Sequence, residues 1–345
     1  MRWKYREALC FDDVTLKPQF SDVMSRSDID LSSDLDKNIS LSIPVISSPM
    51  DTITEGPMAV EMGMLGALGI VHRYNSIKEQ AHHVEYALKA GGSFFWIGAA
   101  IGTSADYMER ALALRRVGVS ALCIDVAHGH HALVRQTIRS LKRTFGDTIH
   151  IMAGNVATVE AFEDLSDWGA DSIRVGVGGG SCCTTRINTG HGIPTLQSII
   201  DCASSDRDTK LIADGGIRTP GDIVKSIAAG ADFVMLGSML SGTHESAGWT
   251  NRVESESGGT VVPFRGMASE QAQKGWRGYV SSREGVSTVV TEKGPVKDVF
   301  SSIESGLRSG ISYTGASNIA EFQAKSVFLK QTNQGAKEAR PHILV

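Results

Sequence analysis

Short β-branched or apolar runs alternate with amphipathic stretches along most of this 345-residue chain. That alternation constrains the fold more than any other feature. Strand patterns fall at residues 43–47, 68–72, 94–100, 121–126, 149–153, 172–176, 210–213 and 233–236. Helical patterns lie between them at 77–90, 105–117, 132–145, 159–168 and 220–229. Strands separated by helices cannot pair as hairpins, so the pattern demands a parallel sheet. Eight such strands are the number that closes a (β/α)8 TIM barrel. The reading is one α/β barrel domain over 1–345, with a polar N-terminal arm (1–40), an active-site lid after the last strand (241–298), and a final helix and tail (299–345). Gly169-Ala170-Asp171 before one strand recurs as Gly230-Ala231-Asp232 before another. The repetition reads either as two half-barrel analogues of one helix–turn–strand unit or as a common helix-ending turn.

Composition removes several function classes. Lys+Arg number 34 against 38 Asp+Glu, a formal net charge of −4, so neither a nucleic-acid scaffold nor a polybasic membrane binder is expected. No apolar run nears the ~20 residues of a membrane span. Met1-Arg2-Trp3-Lys4-Tyr5-Arg6 lacks the apolar core of a secretory signal. Five cysteines at irregular spacing (Cys10, Cys123, Cys182, Cys183, Cys202) make no disulfide framework. A reducing cytoplasm is the expected location.

Barrel active sites sit at the C-terminal ends of the strands. Reading those ends gives Ser47 to Asp51, His72-Arg73, Asp125-Val126-Ala127-His128, Gly154-Asn155, Gly176 to Cys183, Asp214-Gly215-Gly216 and Gly237-Ser238. The last two turns stand where barrels bind phosphate through backbone N–H groups, which points to a phosphorylated ligand. In Gly176-Val177-Gly178-Gly179-Gly180-Ser181-Cys182-Cys183-Thr184-Thr185-Arg186 little side chain is left to pack. A thiolate on such a backbone-lined loop is a strong nucleophile, and Cys183 is the candidate. Cys123 and Cys202 read as small buried hydrophobes. A zinc site from Cys182-Cys183 with His128 and His130 lacks the usual ligand spacing. No early Gly-x-Gly-x-x-Gly marks a Rossmann domain, so a nicotinamide cofactor would have to bind on the barrel rim. His82-His83 and His130-His131 read as solvated helix-face residues. Glu270 and Glu284 in the lid read as exposed, unless lid closure brings one to the site.

Glu7 to Val14, Ser48-Pro49-Met50-Asp51-Thr52, Gly154-Asn155-Val156, Gly180 to Arg186, Asp214-Gly215-Gly216-Ile217-Arg218, Met235-Leu236-Gly237-Ser238 and Arg265-Gly266-Met267 together resemble the inosine monophosphate dehydrogenase and guanosine monophosphate reductase family, in order over nearly the whole chain. The resemblance implies a (β/α)8 barrel, normally tetrameric, acting on a purine nucleotide. Three features point to the reductase branch. No regulatory CBS module follows the second helix. The lid reads Lys274-Gly275-Trp276-Arg277-Gly278-Tyr279, without the adjacent Arg-Tyr pair with which dehydrogenases activate water. Ser25-Arg26-Ser27-Asp28 looks like the segment that reaches a neighbouring subunit's NADPH, where a guanidinium suits a ribose phosphate. There are departures: Gly179 replaces the usual proline, and Phe264 stands for a phosphate-binding tyrosine.

By resemblance, Cys183 adds to the purine while Thr185 and Glu284 carry protons. The nucleotide falls to Met50, Ser181, Asp214, Gly215, Gly216, Gly237, Ser238, Gly266, Met267, Ala268, Arg283 and Gly285, its phosphate on Ser181, Gly216, Gly237 and Ser238 and its ribose on Asp214. NADPH falls to Ser25, Arg26, Arg73, Asp125, Val126, Ala127, Asn155, Val177, Gly178 and Ser309. The carbonyls of Gly178, Gly180, Cys183 and Arg186 resemble a K+ site. The reading is thus a GMP reductase, a homotetramer sharing its cofactor site between subunits. The alternatives are an IMP dehydrogenase without CBS modules, a reductase for a modified purine nucleotide, and a nucleotide-binding regulator without turnover.

Overall fold

The computed structural model describes residues 6–91, 95–104, 106–256, 258–339 and 341. Its centre is a closed, all-parallel barrel of β1 (Val45–Ser47), β2 (Leu68–Val71), β3 (Ile97–Ile101), β4 (Ala121–Asp125), β5 (His150–Val156), β6 (Ser172–Val175), β7 (Lys210–Asp214) and β8 (Phe233–Leu236), each beside the next, with β8 pairing back onto β1. All eight predicted strands are present. β1 starts later than predicted, and β5 runs on through Gly154-Asn155 to Val156, residues without the β-branched signal that a sequence reading follows. The predicted starts at Phe94 and Ala105 lie outside the described residues.

Around the barrel run α1 (Gly56–Met64), α2 (Ile77–Gly91), α3 (Tyr107–Arg116), α4 (Ala132–Phe145) and α5 (Val159–Asp167). After the short α6 (Thr185–Thr189) come α7 (Thr195–Cys202) and α8 (Pro220–Ala228). Helix α1 escaped the sequence reading because Gly56 and Gly63 break its pattern, yet Pro57 in its first turn is well placed to start a helix. Inside the barrel, Ile46, Leu68, Ile70, Cys123, Met152 and Phe233 pack on one another, with Leu35, Ile39 and Leu41 of the lead-in joined to them. A second, larger cluster fills the space between strands and helices.

The two Gly-Ala-Asp turns are equivalent in detail. Gly169 and Gly230 adopt φ of 107° and 108°, a region open to glycine. Asp171 accepts the Ile151 N–H at 2.7 Å, and Asp232 accepts the Leu211 N–H at 2.8 Å. Lysines cap both carboxylates, Lys142 on Asp171 and Lys210 on Asp232. The repeated units end in β6 and β8, two strands apart. The repeat is therefore a quarter-barrel step, not the half-barrel relation expected.

The flanking segments are more ordered than their composition suggests. In the arm, Val14–Leu16 pairs antiparallel with Phe328–Lys330. The lid holds an antiparallel sheet of β9 (Val253–Glu254), β10 (Thr260–Arg265) and β11 (Ser287–Thr291), with α9 (Glu270–Arg277) inserted between the last two strands. The final barrel helix, α10 (Val296–Ser312), starts before the predicted boundary at 299 and is followed by α11 (Ile319–Lys325). Among the described residues no helix is long and apolar enough to cross a membrane.

Candidate active site

A cleft of about 420 Å³ opens at the C-terminal ends of the strands and beneath the lid. Its shape begins with Gly176, whose φ of 146° lets the turn after β6 lie against Asp214; a Cβ there would overlap the Asp214 carbonyl. The turn then delivers Cys183, half-buried in the cleft wall. The Cys183 thiol donates to Thr185 Oγ1 at 3.1 Å, and the Thr185 hydroxyl donates to Glu284 Oε2 at 2.9 Å. Backbone bonds hold this relay in register: Thr184 N–H donates to the Glu284 carbonyl and Val286 N–H to that of Cys182. The remaining thiols differ. Burial pushes Cys123 and Cys202 up to about 12 and raises Cys182, which makes them poor nucleophiles. Among the described residues no three His, Cys, Asp or Glu side chains gather to hold a metal ion, so the zinc reading has no support.

The floor is an ionic network that the sequence reading missed at its centre. Arg174 of β6 is 6% exposed. Its guanidinium lies 2.7 Å from Asp125 Oδ1 and 2.8 Å from Asp214 Oδ2, and Nη1 also reaches Cys123 Sγ. Burial opposes its charge, but the Cys123 sulfur, Asp214 and Asp125 together raise its pKa. Asn155 donates to the same Asp214 oxygen at 2.7 Å. One carboxylate oxygen of Asp214 is thus saturated by protein donors, which fixes the other for a ligand. The signal was one arginine inside Ser-Ile-Arg-Val, a strand otherwise apolar or small; buried charge is rare unless paired.

The groups expected to hold the phosphate, Ser181, Gly216, Gly237 and Ser238, all line the cleft, as do Met50, Gly215, Gly266, Met267 and Ala268. Phe264 lines it too, 3% exposed and without a hydroxyl to offer. A side chain at 179 would overlap Thr195 Oγ1, so the glycine there matches its neighbour. Of the expected cofactor residues, Arg73, Asp125, Val126, Ala127, Asn155, Val177 and Gly178 line the same cleft.

Other expectations are not met within this cleft. Arg283 and Gly285 do not line it; Arg283 is exposed and Gly285 instead bridges to Cys183 and Ser269. Ser25 and Arg26 lie against α10, where Arg308 donates to the Arg26 carbonyl and Arg26 stacks over Tyr313. Ser309 is on the same helix, so these three share a surface away from the cleft. Of the expected K+ carbonyls, that of Gly180 accepts the Cys183 N–H and that of Arg186 the Gly190 N–H. The Arg186 side chain packs against Gly178. Two of the four carbonyls are thus already engaged by N–H donors of the same loop.

The lid adds groups of its own. Trp276 stacks on Tyr74 with centroids 4.2 Å apart, and the Arg73 guanidinium is 5.3 Å from the Trp276 ring. Buried Gln273 bonds the carbonyls of Ala268 and Ser282 and accepts the Ser281 N–H, tying α9 to the segment carrying Glu284. Arg277 lines the cleft and lies 4.6 Å from the Tyr279 ring. The lid therefore brings an arginine and a tyrosine side by side although Gly278 stands between them. The Nε atoms of Arg73 and Arg277 are buried without hydrogen-bond partners. Guanidinium groups beside aromatic rings at the cleft suit a second ligand that combines planar rings with negative charge, as a nicotinamide dinucleotide does. Of the four histidines expected to be solvated, His82 and His131 are exposed, whereas His83 is half-buried, accepts the Gly56 N–H and faces Glu55, and His130 pairs with Asp164.

Comparison with known proteins agrees with this geometry. The family model for the IMP dehydrogenase / GMP reductase domain matches residues 8–342. Inosine-5'-monophosphate dehydrogenase of Cryptosporidium parvum is 36% identical, over 97% of this chain and 95% of its own. GMP reductase of Leishmania major is 32% identical, over 97% of each. A crystal structure of GMP reductase from Trypanosoma brucei, a cysteine-to-alanine variant in complex with guanosine 5'-monophosphate, superposes with a TM-score of 0.91 at 30% identity, covering 98% of both chains. The Leishmania alignment runs over 480 residues, and one with a dehydrogenase of Nitrosopumilus maritimus over 474. Relatives of both names thus carry length that this chain lacks, so the missing insertion does not separate the branches.

Proposed function

The chain belongs to the IMP dehydrogenase / GMP reductase family, and we propose that within it the chain is a GMP reductase, converting guanosine monophosphate, NADPH and a proton to inosine monophosphate, ammonia and NADP+. The hydrogen-bonded relay from Cys183 through Thr185 to Glu284 carries this reading, because a departing amine must be protonated where it leaves. The nucleotide phosphate sits on Ser181, Gly216, Gly237 and Ser238, and the free oxygen of Asp214 takes the ribose hydroxyls. Cys183 gives its proton to the relay and its sulfur bonds to purine C2. Glu284, through Thr185, returns a proton to the exocyclic nitrogen, the C2–N bond breaks, and ammonia leaves a thioimidate on Cys183. Arg73, Asp125 and Asn155 would hold the nicotinamide, which would supply the hydride that replaces sulfur at C2. The C–S bond then breaks, and the Cys183 thiolate takes up the one proton consumed overall and is restored as the thiol.

The proposal includes a monovalent cation on the loop carbonyls, and a homotetramer in which Ser25, Arg26 and Ser309 reach a neighbour's cofactor. Phe20 and Met24, exposed at 89% and 94%, are apolar surface for such a contact. A second reading, IMP dehydrogenase, is favoured by Arg277 beside Tyr279, a pair able to activate water. One spectrophotometric assay decides: NADPH with guanosine monophosphate against NAD with inosine monophosphate, each with and without K+. The reductase reading expects NADPH oxidation only in the first pair, abolished in Cys183→Ser while nucleotide binding survives. Turnover only in the second pair overturns it.

A further inference from the structure

The cleft's phosphate cradle has a cation bonded to its far side. After β8 the carbonyls of the turn Gly237-Ser238-Met239 are bonded to Leu240, Ser241 and Lys293, none of which lines the cleft. That of Gly237 accepts the Leu240 and Ser241 N–H groups. The Ser238 carbonyl accepts the Ser241 hydroxyl and the Lys293 ammonium, both at 2.7 Å, and the Met239 carbonyl accepts Lys293 at 3.2 Å. A trans peptide holds its C=O and the N–H of the next residue on opposite sides, so fixing the Ser238 carbonyl aims the Met239 N–H the other way, while the Leu240 N–H of the Met239 peptide stays on the Gly237 carbonyl. No acceptor among the described residues takes the N–H of Ser238 or Met239, and Gly237 and Ser238 line the cleft.

Lys293 has no carboxylate within ion-pairing distance among the described residues. Its neighbour Glu292 is taken by His244. The cationic side chains that do line the cleft, Arg73, Arg174 and Arg277, bond to other groups than this turn. The lysine stands at the return of the lid, where its N–H bonds the Gly242 carbonyl, and so its position is set by the backbone rather than by an acidic partner.

We infer that Lys293 is a positioning residue for the ligand's phosphate: it locks the Ser238 carbonyl so that the Met239 N–H of the same peptide faces the anion, and its charge polarises that peptide toward it. A hydrogen-bond chain ending on a cation strengthens the donor at its other end. This deepens the nucleotide reading above and rests on it only for the ligand being a nucleoside monophosphate.

The test is calorimetric or tryptophan-fluorescence binding of guanosine and inosine monophosphates, and of the corresponding nucleosides, to wild type, Lys293→Met and Lys293→Arg. Lys293→Met is expected to weaken both nucleotides about tenfold and leave the nucleosides within about twofold, while Lys293→Arg recovers most of the loss. Equal loss for nucleotides and nucleosides, or no loss, overturns the inference. If wild type binds nucleotides no better than nucleosides, the inference and the nucleotide reading fall together. If nucleotides bind, Lys293→Met loses them selectively and NADPH is not oxidised, the lysine's role stands and only the reductase reading fails.

Discussion

Glu284 accepts the Thr185 hydroxyl at 2.9 Å across 99 residues of sequence, and this joins the lid to the nucleophile loop. Because the Thr184 N–H also binds the Glu284 carbonyl, the backbone that carries the carboxylate is tied to the loop that carries the thiol. Glu284→Gln keeps the size and loses the proton carrier. Its turnover is expected to fall ~10²–10⁴-fold with nucleotide affinity little changed. Thr185→Val is expected to fall similarly, and the double variant little further, because both residues serve one relay. Steady-state kinetics beside equilibrium binding on the three variants checks this; additive losses would separate the two residues.

Arg174 offers a stability prediction. Removing a guanidinium held between two carboxylates leaves uncompensated charge in the barrel floor. Arg174→Met is expected to cost about 3–5 kcal/mol in stability, read by urea unfolding at neutral pH. Arg174→Lys retains charge but loses the fork that reaches both Asp125 and Asp214. It should fold better than the methionine variant and still bind nucleotide weakly, because the free Asp214 oxygen is no longer aimed.

Legibility in the sequence followed local physics. The barrel strands could be read because each is a short apolar run that repeats between helices. Cys183 and the glycine turns could be read because few other reasons exist for so many glycines beside a thiol. What stayed hidden depended on partners remote in sequence. Arg174 has no visible role until Asp125 and Asp214 close on it, 49 and 40 residues away. Gln273 organises the lid through carbonyls that no periodicity announces, and Lys293 binds main-chain atoms of a turn 55 residues distant. Arg277 and Tyr279 flank Gly278, and only the left-handed helix end at that glycine shows that their side chains still meet.

Stability at acid pH should report on the base of the barrel. Buried His150 lies 2.8 Å from Asp36 and 2.7 Å from the Ser172 hydroxyl. Burial alone would raise the Asp36 pKa, but the His150 hydrogen bond and the N–H groups of Asn38 and Ile39 outweigh it and lower it. A carboxylate depressed in the folded state stabilises most when ionised in both states, above its ordinary value of ~3.9, and loses that contribution as pH falls through the folded value. Asp36→Asn is therefore expected to be less stable than wild type by about 1.5–3 kcal/mol at pH 7, with the gap steady to pH 5 and closing below about pH 4. Thermal unfolding of both proteins from pH 7 to pH 3 measures it. A gap that widens on acidification would mean that the pair stabilises through a different protonation state.

The lid's grip can be tested at its aromatic contact. Trp276 stacks on Tyr74 at an interplanar angle of 12°, with the guanidinium groups of Arg73 and Arg277 at 5.3 and 5.5 Å from the indole. Tyr74 follows directly on a cleft residue of the β2 end, so this stack is where the lid helix closes against the barrel rim. An aromatic pair contributes about 0.5–1.5 kcal/mol beyond its buried area, which corresponds to roughly two- to tenfold in a closure equilibrium. Trp276→Leu keeps apolar bulk and loses the stack. It should raise the KM of both ligands by about that factor, because an open lid must be closed at the expense of binding energy, while the thermal midpoint set by the barrel core stays near wild type. Tyr74→Leu should do the same, and the double variant should add little. If Trp276→Leu instead lowers turnover at saturating ligand without changing KM, the stack acts on the chemical step through Glu284 and not on closure.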